Sequence, residues 1–166
     1  MYQMHRVFCA TAWEAEGERR AFYEILGRIN ETDGIPAGSL FIPVSLVNIQ
    51  DKRPYQYTVD DNIRQCRYYL LVPGDDWGPA ARAFERDYRL ALACASDSAL
   101  PMQDTAILLR NQSDGSASPF AAVLDAAGFR YTTFTTTQDF EAAVTILLKQ
   151  WLASGRTPQD SGTAAG

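Results

Sequence analysis

The chain has 166 residues, of which 46% are apolar and 21% charged, and its formal net charge is −5. This fits one globular domain with room for a core and excludes a fibrous or disordered chain. The acid excess argues against nonspecific nucleic-acid binding, which needs basic patches to displace counterions. No apolar run approaches the ~18 to 20 residues of a membrane span.

The opening residues, 1–6, lack a signal peptide's basic end and apolar stretch, so a cytoplasmic location is expected. Cys9, Cys66 and Cys94 are odd in number, widely spaced and set among apolar neighbours, which predicts reduced thiols in the core. His5 is the only histidine. One imidazole and no cysteine pair at ligand spacing predict no zinc site and no Ser-His-Asp or Cys-His triad.

The first predicted strand covers residues 5–10 and runs almost without a loop into a helix from about residue 12 to 30. Thr11 and Glu14 have the spacing of a capping box. Phe22, Ile25, Leu26 and Ile29 recur at helical period, which turns Glu14, Glu18 and Arg19 to water. Turn-rich residues 33–38 lead to a second strand over 40–47. Pro43 has no N–H for a ladder, so this strand should lie at an edge or carry a bulge. A polar loop over 48–57 precedes a short helix over 58–66, with Thr58 and Asp61 as cap partners.

Residues 67–73 form the third and most apolar strand, expected at the centre of the sheet. The loop from Gly74 to Pro79 opens a helix whose predicted buried stripe is Phe84, Tyr88, Ala91, Leu92 and Ala95. A fourth strand follows over 105–109. Ser118 and Pro119 start the next helix and Gly128 ends it. A fifth strand over 129–134 precedes a last helix over 139–153, with Phe140, Val144, Leu147, Leu148 and Trp151 on one face. Residues 154–166 read as a flexible polar tail.

Five strands alternating with helices predict an α/β fold: a single doubly wound five-stranded parallel sheet in a three-layer sandwich, spanning residues 1–153. Right-handed crossovers favour the flavodoxin-like order 2-1-3-4-5. Ligands of such sheets bind at the carboxyl ends of the strands, beside the point where the order reverses. That places Thr11 and the loop Gly74, Asp75, Asp76 and Trp77 at a crevice, with residues 48–55, Arg110 to Gln112 and residues 135–137 along the same edge. Gly74 would allow close backbone approach, the two aspartates could bind hydroxyls or a cation, and Trp77 offers a flat surface for a ring. The alternatives are a helix cap at Thr11 and a solvated turn with a tryptophan packed beneath it. No GxGxxG follows the first strand and no GxxxxGK[ST] occurs.

Val7-Phe8-Cys9-Ala10-Thr11 through Glu18-Arg19 resembles the opening "VF-x-S-S-T…E-R" of the bacterial DUF4062 proteins, which are TIR-like domains. The resemblance resumes at Asn62-Ile63-Arg64-Gln65-Cys66 and the strand to Gly74. It continues through Trp77-Gly78-Pro79 to Phe84-Glu85-Arg86-Asp87-Tyr88-Arg89-Leu90-Ala91, where the family has "E-[YF]-x-x-A". The resemblance spans roughly residues 5–110. It implies the five-stranded fold of the TIR and nucleoside deoxyribosyltransferase-like group. Some of that group cleave N-glycosidic bonds of NAD or nucleosides with a helical glutamate, and others only bind domains of their own kind. Two departures stand out. Cys9 and Ala10 replace the family's serines, and Asp87 occupies the acidic slot with Glu85 two residues earlier.

A carboxylate beside an apolar wall can act as nucleophile or stabilise an oxocarbenium ion, which makes Glu85 and Asp87 the candidate catalytic acids. Glu85 also has Arg82 and Arg89 at ion-pair spacing, the pattern of an ordinary surface pair. The expected ligand is a nucleotide-type molecule, with NAD or a nucleoside as substrate and no separate cofactor. Three functions follow: an N-glycosidase in bacterial defence or signalling, a catalytically silent domain that binds itself or other TIR-like domains, and a nucleotide sensor that signals by self-association.

Overall fold

Strand β1 (Gln3–Thr11) is buried from Val7 onward, where strands flank both its edges and helices cover its faces. The computed structural model describes residues 1–45, 56–79 and 84–155. The strands β2 (Ser39–Val44), β3 (Tyr68–Val72), β4 (Asp104–Arg110) and β5 (Thr132–Phe134) complete a five-stranded sheet in the order β2-β1-β3-β4-β5. Each adjacent pair is parallel. This is the doubly wound α/β sandwich expected from the alternation of patterns, with β3 central and buried at every residue. Pro43 stands opposite Val7 on β2, at the edge of the sheet.

The period of two along β3 decides what each face holds. Tyr68 stacks on Trp151 with ring centroids 4.5 Å apart and donates its hydroxyl to the Trp151 carbonyl at 3.0 Å. Trp151 belongs to α6 (Thr137–Ser154), which packs against α1 (Glu16–Ile29). Tyr69, one residue on, faces the other way. It stacks with Phe8 at 5.5 Å and meets Tyr88 of α4 (Phe84–Ala95), which packs beside α3 (Gln56–Gln65). Phe8, Phe22, Ile25, Leu70, Leu71, Phe84, Tyr88, Ile107, Leu108 and Val144 are buried as expected, while Leu147 is half-buried. Cys9, Cys66 and Cys94 are free, buried thiols. Burial pushes the Cys9 thiol up to about 12 and the Cys66 thiol to about 11.

Several local expectations are corrected. The Thr11–Glu14 capping box does not form, because β1 continues through Thr11 and pairs it with Val72. A 3-10 turn (Trp13–Ala15) intervenes before α1, and its start at Ala12 has no side-chain cap. Glu18 is buried at 4% exposure rather than turned to water. Residues 33–38 are not an open turn. A π-helical turn (Asn30–Gly34) and a single α-turn, α2 (Ile35–Ala37), carry the helix on until Gly38, whose φ of 69° ends it. Asn30 spans the gap to β2 in both directions, accepting from the Phe41 N–H at 2.8 Å and donating to its carbonyl at 2.9 Å.

Thr58 lies inside α3 rather than capping it. The inward stripe of α4 is Phe84, Asp87, Tyr88, Ala91 and Cys94, so Leu92 is half-buried and Ala95 exposed. The β5 ladder is shorter than expected. Ser118 does meet the next helix, α5 (Phe120–Ala127), its hydroxyl accepting from the Phe120 N–H at 3.2 Å. Gly128 closes that helix with φ 73°. A capping box does occur at α6, where Thr136 and Asp139 exchange side-chain and backbone bonds at 3.1 Å each. The expected loop at 48–55, Arg82 and all but the first two residues of the expected tail lie outside the described residues.

Candidate functional site

Three strands end together at the carboxyl edge of the sheet, and the start of α1 faces them across a crevice of about 210 Å³. Glu14, Ala15 and Glu18 form the helical wall. Gly74 and Asp75 after β3, then Arg110, Asn111 and Gln112 at the end of β4, form the other side, with Ser118 and Phe134 beyond. The site therefore straddles the ends of β3 and β4, one strand further along than the reversal between β1 and β3.

Glu18 is the decisive residue of the crevice. Its side chain is 5% exposed and forms an ion pair with Arg110, whose side chain is 54% exposed. The guanidinium also lies 5.6 Å over the Phe134 ring. Glu18 holds this place because it shares the helical stripe of Phe22, Ile25 and Ile29, which points it at the sheet. A buried carboxylate needs such a partner, since leaving it unpaired costs several kcal/mol. Glu14 is exposed but reaches Gly74, where any Cβ would run into its carboxylate. The missing Cβ of Gly74 thus makes room for a neighbouring side chain of this protein.

Of the residues singled out from the sequence, Gly74, Asp75 and Arg110 come together in the crevice. Thr11 is buried in the β1–β3 ladder and is not among the lining residues. Asp76 turns back to accept from the Gly78 N–H at 2.6 Å. Trp77 packs into an aromatic group, with Phe120 at 5.1 Å, Phe129 at 6.0 Å and Tyr88 at 6.4 Å. Glu85 is exposed on α4 and pairs with Arg89 at 3.2 Å. Asp87 is buried on the opposite side of that helix, 3.9 Å from Arg86. Its charge adds to burial in pushing the Tyr69 phenol well above its ordinary range. Neither acid lines the crevice. Glu14 and Glu18 are the functional candidates that sequence reasoning passed over.

Among the described residues no cluster of three or more His, Cys, Asp or Glu side chains could hold a metal ion. No described helix is long and apolar enough to cross a membrane.

No family model matches the chain, and no curated protein matches it. A TIR domain of the RPS4 and RRS1 TIR domain heterodimer superposes with a TM-score of 0.52 at 12% identity, over 92% of this chain and 97% of that one. The fold is TIR-like. Two crystal structures of S. aureus homoserine dehydrogenase align over 80% of this TIR-like chain and about a third of their own length. Their TM-scores are 0.42 and 0.40, at 14% and 13% identity. The finer likeness to DUF4062 proteins rests on the short motifs alone.

Proposed function

We propose that this TIR-like domain binds a nucleotide-type ligand in the crevice between α1 and the ends of β3 and β4, in a bacterial signalling or defence role of the kind the DUF4062 resemblance implies. The observation that carries the reading is the buried Glu18 carboxylate facing that crevice, held by a half-exposed arginine. Glu14, Glu18 and Asp75 supply acceptors for ribose hydroxyls, while Arg110, Asn111 and Gln112 supply donors. Cleavage of an N-glycosidic bond needs a carboxylate beside the anomeric carbon. Glu85 and Asp87 stand away from the crevice, so binding is the primary activity in this reading, and any hydrolysis falls to Glu18.

Calorimetric titration with NAD and adenosine, alongside chromatography of any released base, tests the reading. Wild type should bind at least one of them, Glu18→Gln should weaken binding by tenfold or more, and Glu85→Gln should leave it unchanged. Absence of binding to either compound would sink the proposal.

A second reading, an interaction domain that assembles with itself or other TIR-like domains, draws on a different feature. An open groove of about 580 Å³ runs between β5 and α6, where Ile146 is 58% exposed beside half-buried Leu147. Concentration-dependent sedimentation that Ile146→Asp abolishes would favour this second function.

A further inference from the structure

The crevice is too small for the whole of the ligand proposed for it. Small-molecule pockets usually run from about 300 to 1,000 Å³, whereas this one holds about 210 Å³. Its walls carry Glu14, Glu18, Asp75 and Arg110, which suit a sugar's hydroxyls, and its apolar lining, Pro73 and Phe134 among it, shares that small space. A base would have to remain at the mouth. Trp77, the platform expected from the sequence, is already engaged with Phe120, Phe129 and Tyr88. Trp151 is 2% exposed and stacked on Tyr68.

The third tryptophan is different. Trp13 is 83% exposed, and among the described residues its ring makes no aromatic contact and no hydrogen bond. It sits in the 3-10 turn that also supplies Glu14 and Ala15 to the crevice wall. That turn is fixed to the sheet, because the Ala12 N–H donates to the Val72 carbonyl at 2.9 Å and the Ala15 N–H to the Ala12 carbonyl at 2.9 Å. A large flat apolar side chain is therefore held in water on a short anchored turn whose next two residues line the crevice.

We propose that Trp13 is the platform on which the ligand's base stacks, while only its ribose enters the crevice. The inference rests on the reading of that crevice as a nucleotide-type site. Stacking tolerates any base because every base presents a π-face, so the site distinguishes ligands by their sugar and accepts purine and pyrimidine nucleosides alike.

Tryptophan emission and calorimetry during titration with adenosine, NAD and free D-ribose test this directly. Adenosine should quench wild-type emission, and Trp13→Phe should lose the quenching yet keep most of the affinity. Trp13→Ala should bind adenosine about tenfold more weakly, as expected for loss of one stacked base, with unchanged binding of D-ribose. The exposed position makes both variants compatible with folding, which circular dichroism checks. If Trp13→Ala binds adenosine as wild type does, the platform is refuted and the crevice reading stands. If neither adenosine nor NAD binds wild type, both fall. If Trp13→Ala alters only self-association, Trp13 is a protein contact and the proposal is wrong.

Discussion

Replacing Arg110 by glutamine should cost more stability than replacing Glu18 by glutamine, although the two residues form one ion pair. Glu18 is 5% exposed and Arg110 54%. Removing one partner of a fully buried pair costs about 3–5 kcal/mol, because the remaining charge has no solvent to turn to. Exposed pairs contribute about 0–1 kcal/mol. Arg110→Gln strands the buried member, so a loss of about 2 kcal/mol is expected, between those limits. Glu18→Gln leaves a guanidinium already half in water, and its cost should stay below about 1 kcal/mol. For a chain of this size each kcal/mol moves Tm by about 2–4 °C, so Arg110→Gln should melt about 4–8 °C lower than wild type. The double variant should recover most of that loss, since it buries no charge. Arg110→Lys separates charge from shape, keeping the pair while losing the planar contact with Phe134. Urea denaturation of the four variants beside wild type gives the cycle. Equal losses from the two glutamine variants, or a larger loss from Glu18→Gln, would refute the placement of Glu18 as a buried residue of the crevice wall.

Two more predictions concern buried titratable groups. His5 is 1% exposed, and burial, aided by the Arg67 guanidinium, holds its imidazole below the ordinary value of 6.5. Below about pH 6.5 the unfolded chain therefore takes up a proton that the folded chain resists, and stability falls with acidification by at most about 1.4 kcal/mol per pH unit from this group. Urea midpoints at pH 7.5, 6.0 and 5.0 should show that slope in wild type and a shallower one in His5→Asn. Identical slopes would count against it. With the Cys9 thiol near 12 and Cys66 near 11, and all three cysteines buried, none should react quickly with a disulfide reagent at pH 8 until the chain is denatured. A fast-reacting thiol in the native protein would contradict this packing.

Much of the architecture was legible because it is written in repeating patterns. The alternation of short apolar runs with helical stripes carried the strand order, and Pro43 marked its own strand as an edge. The errors arose where one side chain broke a stripe or a boundary slipped. Glu18 lies in register with Phe22, Ile25 and Ile29, a signal present in the sequence, but a glutamate on an apolar stripe reads as solvent-facing unless its partner is known. That partner, Arg110, comes from β4 and is brought near only by the fold. Asp87 shows the same difficulty on α4, where one shifted position moved an acid from the flank of the stripe into it. Thr11 fits both a cap and a crevice residue in the sequence because capping-box spacing and strand-end position are local signals, whereas the ladder to Val72 that claims it is not.

The double hydrogen bond from Asn30 to Phe41 has a consequence for how molecules of this chain can meet. Alternate residues of β2 direct their backbone groups away from β1, and Phe41 presents its N–H and carbonyl to Asn30 rather than to solvent. Two residues earlier, the Ser39 carbonyl lies so close to Gly34 that a Cβ there would approach it to 2.5 Å. Two residues later Pro43 has no N–H to offer. An incoming strand would find these successive outward positions of β2 occupied, crowded or without a donor, which is how natural sheets resist strand-by-strand aggregation. At the other margin β5 is only three residues long, Thr132–Phe134. Among the described residues the sheet is closed to extension at one edge and gives little to build on at the other, which disfavours assembly by strand pairing and leaves the faces of the molecule for it.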